Sequence, residues 1–98
     1  MNNLIEKVKQ WHYDRNLIEG SSDFRQFGKL MEEVVELHYG LVSKDQAEVE
    51  DAIGDIMVVL VNIAERNNSS LEECLKVAYE DIKHRKGKMV NGVFVKEV

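Results

Sequence analysis

The sequence predicts an all-α protein, a four-helix bundle with a short hairpin near its C-terminal end. The chain has 98 residues and no proline, and proline is the strongest breaker of helices. Apolar residues recur at helical spacing in four segments, and stretches rich in Gly, Ser and Asn separate these segments. No repeat or low-complexity linker divides the sequence, so residues 1–98 are expected to form a single domain.

The first two helices are predicted from their apolar stripes. The first runs from about Asn3 to Leu17, and the Gly- and Ser-rich segment at residues 19–23 follows it as a loop. The second runs from about Phe24 to Val42. Its stripe contains Phe, Leu, Met and Val at spacings of three and four residues, which is typical of a helix that packs on a neighbour.

The third and fourth helices are predicted from capping patterns as well as periodicity. Ser43 and Gln46 are spaced as a capping box that opens the third helix, which ends near Arg66. The fourth helix begins at one of two further Ser–Glu pairs, Ser69 with Glu72 or Ser70 with Glu73, and its stripe includes the single cysteine, Cys74, as a buried residue.

The C-terminal segment predicts the hairpin. Gly87 is a plausible end for the fourth helix. The pair Asn91-Gly92 lies between two short runs rich in valine, which is a signal for a two-residue β-turn.

Charge and cysteine content restrict the class of protein. The formal net charge is −5, and no long basic run offsets it, which argues against a partner that is a nucleic-acid polymer. The apolar stretch at residues 52–64 is too short to cross a bilayer, so no membrane partner is expected. A lone cysteine forms no intrachain disulfide, and a cytoplasmic location is the default expectation.

The third helix carries acids where a core would be expected. Asp51, Asp55 and Asn62 fall on one narrow line when the helix is projected at about 100° per residue, and most other positions between 52 and 64 are apolar. A helix that is apolar on nearly all sides is normally buried. An unpaired buried carboxylate is destabilising by several kcal/mol, so a basic side chain, a proton or a cation should compensate these acids.

The second helix offers a matching pair of acids. Glu33 and Glu36 are neighbours one turn apart. In an antiparallel hairpin that turns near Lys44, Glu33 and Asp55 are each eleven residues from the turn, and Glu36 and Asp51 are eight and seven residues from it. Four carboxylates at similar heights repel one another, and a divalent cation with oxygen ligands removes the repulsion. Mg²⁺ is the first choice, and Mn²⁺ is a second candidate.

Two of these assignments have a structural alternative. Glutamates favour helices and commonly decorate a solvated face, so Glu33 and Glu36 alone do not require an ion. Lys29 lies one turn before Glu33 and either pairs with it or contacts a phosphate group.

The acidic segments resemble a known family. "KLMEEVVEL" at residues 29–37, followed by "EDAIGDIMVVLVNIAE" at residues 50–65, is similar to the MazG-type all-α nucleoside triphosphate pyrophosphohydrolases. The resemblance implies an all-α bundle of that type, with carboxylates that bind Mg²⁺ and cleave a nucleoside triphosphate to the monophosphate and pyrophosphate. By position, Glu33 and Glu36 match the family's ExxE pair, and Asp55 matches its final aspartate.

The fourth acid departs from the family pattern. Many members have glutamate three residues before the final aspartate, where this chain has Ala52. Asp51 is the favoured replacement, as a fourth metal ligand or as the base that orients water, and Glu48 remains an alternative because spacings of three and four both keep side chains on one face.

Substrate contacts are expected from residues near the ends of the helices. Asn62 is a candidate for a hydrogen bond to ribose or phosphate. Arg85 falls on the apolar stripe of the fourth helix and should point inward. The segment "HRKGK" at residues 84–88, which includes Lys86 and Lys88, resembles the family's basic phosphate-binding segment, and its alternative role is to complement the helix dipole. The aromatic residues Trp11, Phe24 and Phe27 either pack in the core or stack on a base.

The sequence therefore predicts an enzyme that is a Mg²⁺-dependent nucleotide pyrophosphohydrolase acting on NTP or dNTP. The third helix has more apolar surface than a 98-residue monomer would cover, which indicates a homodimer or homotetramer. Two alternatives stay open: a non-catalytic helical oligomerisation module with structural acids, and a relative that hydrolyses phosphoribosyl-ATP.

Overall fold

The computed structural model of the chain describes residues 2–97 and confirms the all-α architecture. A two-stranded antiparallel hairpin follows the helices. The elements in chain order are α1 (Asn2–Asp14), α2 (Asp23–Ser43), α3 (Gln46–Arg66), α4 (Leu71–Ile82), β1 (Gly87–Val90) and β2 (Val93–Lys96).

Helices α2 and α3 form the central pair, joined by a tight turn. Lys44 adopts the left-handed conformation with φ 56° and ends α2. Asp45 is the N-cap of α3, because its side chain accepts a hydrogen bond from the backbone N–H of Glu48 at 3.2 Å. The predicted capping box is therefore wrong: Ser43 instead donates to the carbonyl of Tyr39. Helix α3 begins at Gln46, three residues after Ser43, which was expected to cap it.

The approach of α2 to α3 near this turn is close. A Cβ atom placed on Gly40 would meet side-chain and backbone atoms of Glu48 and Val49 at 3.2 Å. Glycine therefore lets the two helices pack tightly next to the connection, and the tight packing fixes the register that sets Glu33 opposite Asp55 further along the pair.

Helices α1 and α4 pack on α3, which is consequently the central helix of the molecule. Most of the buried apolar residues lie on α3: Ala52, Val59, Val61 and Ala64. Ile5 adds a buried side chain from α1. Helix α1 ends at Asp14 rather than near residue 17, because residues 15–20 form turns whose carbonyl groups bind side chains of α3.

Helix α4 is capped by Ser70, whose hydroxyl accepts a hydrogen bond from the backbone N–H of Glu73 at 3.1 Å. This selects the second of the two predicted caps. The predicted end of α4 at Gly87 is wrong, since the helix stops at Ile82 and Gly87 is the first residue of β1. A Cβ at Gly87 would collide with the carbonyl oxygen of Val95 and the ring of Phe94. Glycine at this position therefore allows β1 to lie close to β2.

The predicted hairpin is confirmed. Val90 pairs with Val93, and the pairing extends to Gly87 with Lys96. Asn91 and Gly92 both have positive φ, 51° and 83°, as a two-residue turn that matches the strand twist requires.

Several apolar residues that were expected in the core are exposed. Phe24 is 88% exposed, Phe27 53%, Met31 46% and Trp11 43%. Cys74 is also exposed. Their helical spacing was read correctly as an apolar stripe, but the described residues of one chain cover these side chains only in part; at Trp11, the guanidinium carbon of Arg15 lies 4.5 Å from the ring centroid. Among the described residues, no helix combines the length and the apolar character needed to cross a membrane.

Candidate metal centre and active site

Three carboxylates converge between α2 and α3. Glu33 and Glu36 project from α2, Asp55 projects from α3, and one oxygen from each lies within 4.8 Å of the others. Helical spacing of three residues places the two glutamates on one face, and the antiparallel pairing of α2 with α3 sets Asp55 opposite them. The site therefore combines acids from two elements that are far apart in sequence.

Burial within the cluster is uneven. Glu33 is only 4% exposed, Asp55 is half-buried, and Glu36 is exposed. The cluster thus has a dry floor at Glu33 and an open side at Glu36. Such a layout gives a ligand access from solvent while the floor keeps the local dielectric low, which strengthens electrostatic interactions.

The carboxylate of Glu33 is only partly compensated. Its Oε1 lies 3.2 Å from Lys29 Nζ, whereas its Oε2 is buried and has no hydrogen-bond partner. Buried polar atoms are nearly always satisfied, and each exception calls for an explanation. A cation bound by the three carboxylates would supply the missing partner, so the residues present fit a divalent ion.

The charge state of Asp55 reflects the same crowding. Burial raises the pKa of Asp55 above its ordinary value, and the negative charges of Asp51 and Glu33 raise this pKa further. The positive charge of Lys29 opposes the shift only weakly, as the last of the causes. A positive ion would reverse the balance, since opposite charge favours the ionised carboxylate. Hard oxygen donors of this kind suit Mg²⁺ or Mn²⁺.

Asp51 lies near the cluster without joining it. Its charge raises the pKa of Asp55, but it is exposed, and the three-residue group does not include it. The expectation that Asp51 faces a dry slot is therefore wrong. The physical reason is direction: the next residue, Ala52, is fully buried, so Asp51 leaves the same turn of α3 on its solvent side. Glu48, the alternative, lies against Gly40 near the α2–α3 turn.

Lys29 is engaged by acids of its own helix. Besides Glu33, it lies 3.5 Å from Glu32. The hydrogen bond to Glu33 raises the pKa of Lys29 above its usual value. Of the two sequence interpretations, the ion pair with Glu33 is the one that the structure contains.

Asn62 is fully buried and has a structural role. It has 0% exposure, and its Nδ2 donates to the carbonyl of Leu17 at 3.0 Å and to His12 Nδ1 at 3.2 Å. The structure leaves no surface of Asn62 for ribose or phosphate, contrary to the sequence expectation. Asn62 lies on the same face of α3 as Asp55, about two turns further along the helix. At that level the segment that follows α1 covers this face.

The basic C-terminal segment is not brought to the acids within one chain. Arg85 does not point inward, because α4 ends three residues before it. It is exposed and its Nη2 bonds Asp81 Oδ2 at 2.6 Å. Lys86 and Lys88 are exposed at the base of the hairpin, which does not pack as a layer on α2 or α3.

Sequence reasoning did not predict the contacts of two residues that join α3 to the N-terminal part of the chain. His12 is 3% exposed, and its Nε2 donates to the carbonyl of Val58 at 2.9 Å while Nδ1 accepts from Asn62. These contacts fix the tautomer of His12. Arg66 binds the carbonyl of Ile18 and pairs with Asp23 at 2.9 Å. Neither pairing had a sequence signal, because the partners are 43 to 50 residues apart.

Comparison with known proteins places this arrangement in a family. The chain is 45% identical, over 65 residues, to an uncharacterized 18.2 kDa protein of the rep-hol intergenic region of Haemophilus phage HP1 (strain HP1c1), and the matched region covers 66% of this chain. It spans only 40% of the length of that phage protein. No solved structure matches the chain. Residues 1–90 match the family described as phosphoribosyl-ATP pyrophosphohydrolase. The chain therefore belongs to that family, within the MazG-like all-α NTP pyrophosphatase superfamily.

Proposed function

We propose that the protein is a Mg²⁺-dependent nucleotide pyrophosphohydrolase that cleaves NTP or dNTP between the α and β phosphates. The observation that carries this proposal is the group formed by Glu33, Glu36 and Asp55, whose carboxylate oxygens lie within 4.8 Å of one another and include a buried atom without a partner. Family membership supports the reaction class.

The roles of the residues follow from their burial. Glu33, Glu36 and Asp55 would hold the ion, which when bound supplies neutralisation of phosphate charge and a lowered pKa for bound water. In the reaction, a water oxygen bonds to one phosphorus, the α–β bridging oxygen leaves with the other phosphoryl group, and the water proton passes to a carboxylate. We assign to Asp51 the role of accepting this proton or of acting as a further ligand, because it is exposed and its charge acts on Asp55.

The decisive experiment measures product identity and metal dependence. Pure protein is incubated with a panel of NTPs and dNTPs, with Mg²⁺ or with EDTA, and products are separated by chromatography. We expect a monophosphate and pyrophosphate with Mg²⁺ and no products with EDTA. Release of diphosphate and orthophosphate would contradict cleavage at the α–β linkage.

Matched variants test the site. Glu36→Gln and Asp55→Asn are expected to lower kcat/KM by more than about 100-fold, since losing even an outer partner of a metal ligand typically lowers activity about 10- to 100-fold. Glu32→Gln is the control, because Glu32 is adjacent in sequence and paired with Lys29 but lies outside the cluster. Absence of hydrolysis of every nucleotide by the wild type would favour the alternative of a non-catalytic helical module.

Phosphoribosyl-ATP is the second candidate substrate, because the family to which the chain belongs is the phosphoribosyl-ATP pyrophosphohydrolase family. It carries the same triphosphate and one additional phosphate on its second ribose. Including phosphoribosyl-ATP in the panel decides the question: a kcat/KM well above that for ATP assigns this substrate.

We also propose that the protein acts as a homodimer or homotetramer. A folded monomer of 11.3 kDa is expected to expose about 5,700 Å², whereas this chain exposes 7623 Å². Its radius of gyration is 15.9 Å, against about 13 Å for a compact domain of this length. The excess surface is of the size that stable interfaces bury. The basic residues of the hairpin could reach the acids of a neighbouring subunit in such an assembly.

A further inference from the structure

The one tryptophan of the chain has an aromatic face that the core does not cover. Trp11 lies near the end of α1 and is 43% exposed. The guanidinium carbon of Arg15 lies over the ring, 4.5 Å from its centroid, and Arg15 Nη1 donates to the carbonyl oxygen of Trp11 at 3.2 Å. The ring is therefore covered by a flat cation on a flexible side chain. Another planar group can take the place of the guanidinium on such a face.

The position of the Trp11 ring is fixed by its neighbour in the sequence. The rings of Trp11 and His12 meet edge to face, with their centroids 5.2 Å apart and their planes at 78°. His12 is buried, and both of its ring nitrogens are hydrogen-bonded to α3. A planar ligand that stacks on an aromatic surface held in this way does not have to order that surface first, which favours binding.

Trp11 lies on the flank of α1 that is turned away from α4. Lys9 and Tyr13, one turn apart, both contact Glu65 of α3, and Lys9 also reaches α4. At about 100° per residue, Trp11 is about 160° around the helix from each of them, with His12 between them on the side that faces α3. The ring of Trp11 therefore points toward the side of α3 on which α2 packs.

The acid cluster opens on that same side. Asp55 and Asn62 lie on one face of α3, about two turns apart. Asn62 bonds His12 of α1. Asp55 meets Glu33 of α2, so this face of α3 borders the groove between α1 and α2. Trp11, beside His12, lies at the level of Asn62 in this groove, about 10 Å along α3 from Asp55.

The other two aromatic candidates for stacking are turned away from the acids. Phe24 and Phe27 are both exposed on α2. At about 100° per residue, they point about 180° and 120° away from Glu33 around the helix. A ligand bound at the carboxylates would have to pass around α2 to reach them.

From these features we infer that Trp11 is the platform on which the nucleobase of the substrate stacks while the phosphates are bound at the acid cluster. This inference rests on the proposed function and deepens it. A ribose separates the base of a nucleotide from its α phosphate, so the base lies further along the groove than the ion, and Trp11 lies in that direction. Because every base has a π face, stacking tolerates different bases. Trp11 therefore distinguishes a nucleotide from a bare polyphosphate.

The test uses the fluorescence of Trp11, which no other tryptophan of the chain obscures. One ligand is α,β-methylene-ATP, which resists cleavage at the α–β linkage, and the other is inorganic tripolyphosphate, which has no base. Both are added with Mg²⁺, and calorimetry gives their Kd values. We expect the nucleotide analogue to change the emission of Trp11 at saturation and tripolyphosphate to leave it unchanged.

The outcomes separate this inference from the proposed function. Binding of the analogue without a change in emission, or an equal change with both ligands, would overturn the inference and leave the proposed function standing. Binding of neither ligand would overturn both. These measurements need only the wild-type protein, so they decide the question even where a variant fails to fold.

Variants then measure what the platform contributes. Trp11→Leu should raise the Kd of the analogue about 10- to 100-fold, the range found when an aromatic that stacks on a base is removed, and should leave the Kd of tripolyphosphate unchanged. Trp11→Phe keeps an aromatic face and should restore most of the affinity. Tyr79→Leu is the matched control, because Tyr79 is 58% exposed on α4. An equal loss of affinity for both ligands in Trp11→Leu would show that Trp11 supports the fold and not the base.

Discussion

Lys29 and Glu33, one turn apart on α2, form an ion pair that compensates only half of a buried carboxylate. Lys29 Nζ lies 3.2 Å from Glu33 Oε1, and Glu33 Oε2 has no partner. A cation bound at the cluster would share Glu33 with this lysine, and the two positive charges would repel each other. The lysine and the ion are therefore competitors for the same carboxylate.

Replacing Lys29 should tighten metal binding. In Lys29→Gln, the competing positive charge is removed, so the Kd for Mg²⁺ should fall by several-fold. The metal-free protein should lose less than about 1 kcal/mol of stability, because the Lys29 side chain is 56% exposed. Isothermal titration and urea unfolding measure the two quantities, and the exposed Lys7 gives a control in Lys7→Gln. Weaker Mg²⁺ binding by Lys29→Gln would show that the lysine does not compete with an ion at Glu33.

The raised pKa of Asp55 predicts how stability depends on pH. In the unfolded chain Asp55 ionises near its ordinary pKa, and in the metal-free fold it ionises only at higher pH. The folded state therefore loses stability as pH rises from the unfolded pKa through the folded pKa, and the loss is complete above the latter. Asp55→Asn removes this term, so its stability relative to wild type should increase over that pH window and then stay constant.

Urea unfolding in EDTA at a series of pH values checks this prediction. Glu50→Gln is a suitable control, since Glu50 is exposed on the same helix and outside the cluster. Saturating Mg²⁺ should reverse the sign, because the ion stabilises the ionised carboxylate of the wild type and Asp55→Asn binds it less well. A difference between wild type and variant that does not change with pH would contradict burial as the cause.

Asn62 should matter for stability more than for chemistry. Asn62→Ala leaves the carbonyl of Leu17 and Nδ1 of His12 without their donor, and unpaired buried groups typically destabilise by about 1–3 kcal/mol each. Asn67→Ala is the matched control, because Asn67 Nδ2 also bonds a carbonyl, that of Ile63, but in an exposed position. Loss of activity with unchanged unfolding midpoints would instead restore Asn62 as a substrate contact.

The start of α3 gives a local test of the fold. Asp45→Ala should destabilise the protein by about 1 kcal/mol, the usual effect of losing an N-cap side chain. Ser43→Ala should change stability by a few tenths of that amount, because the Ser43 hydroxyl bonds backbone carbonyls of its own helix. Chemical denaturation of both variants measures the contrast, and an equal or larger effect for Ser43→Ala would contradict Asp45 as the cap.

The sequence predicted the features that arise from local chemistry. Helical periodicity located all four helices, and the Asn91-Gly92 pair located the hairpin turn, because both depend on neighbours in the chain. Counting residues from the α2–α3 turn placed Glu33 opposite Asp55 for the same reason: a short turn fixes the register of an antiparallel pair. Asp51 was misjudged, because burial differs between adjacent residues of one helical turn, as between exposed Asp51 and fully buried Ala52, and it is set by packing, which composition does not report.

The remaining features depend on contacts between distant segments. The bonds of Asn62 and Arg66 to the turns after α1 join residues 45 and 48 positions apart, and no periodicity encodes them. The inward direction expected of Arg85 assumed that α4 continues to Gly87. The backbone leaves the helix at Ile82 to form a hairpin, so the projection no longer applied beyond that residue.

The two faces of α2 also limit how this helix can change in length. Glu33 and Glu36 lie on one side and the uncovered apolar residues on another, within a single rigid rod. One residue inserted between Met31 and Glu33 would rotate the helix after the insertion by about 100° relative to the helix before it. The two glutamates would then no longer keep their present direction relative to the exposed apolar residues up to Met31. An insertion of seven residues would leave only about 20° of rotation. Relatives that differ in the length of α2 are therefore expected to differ by whole heptads.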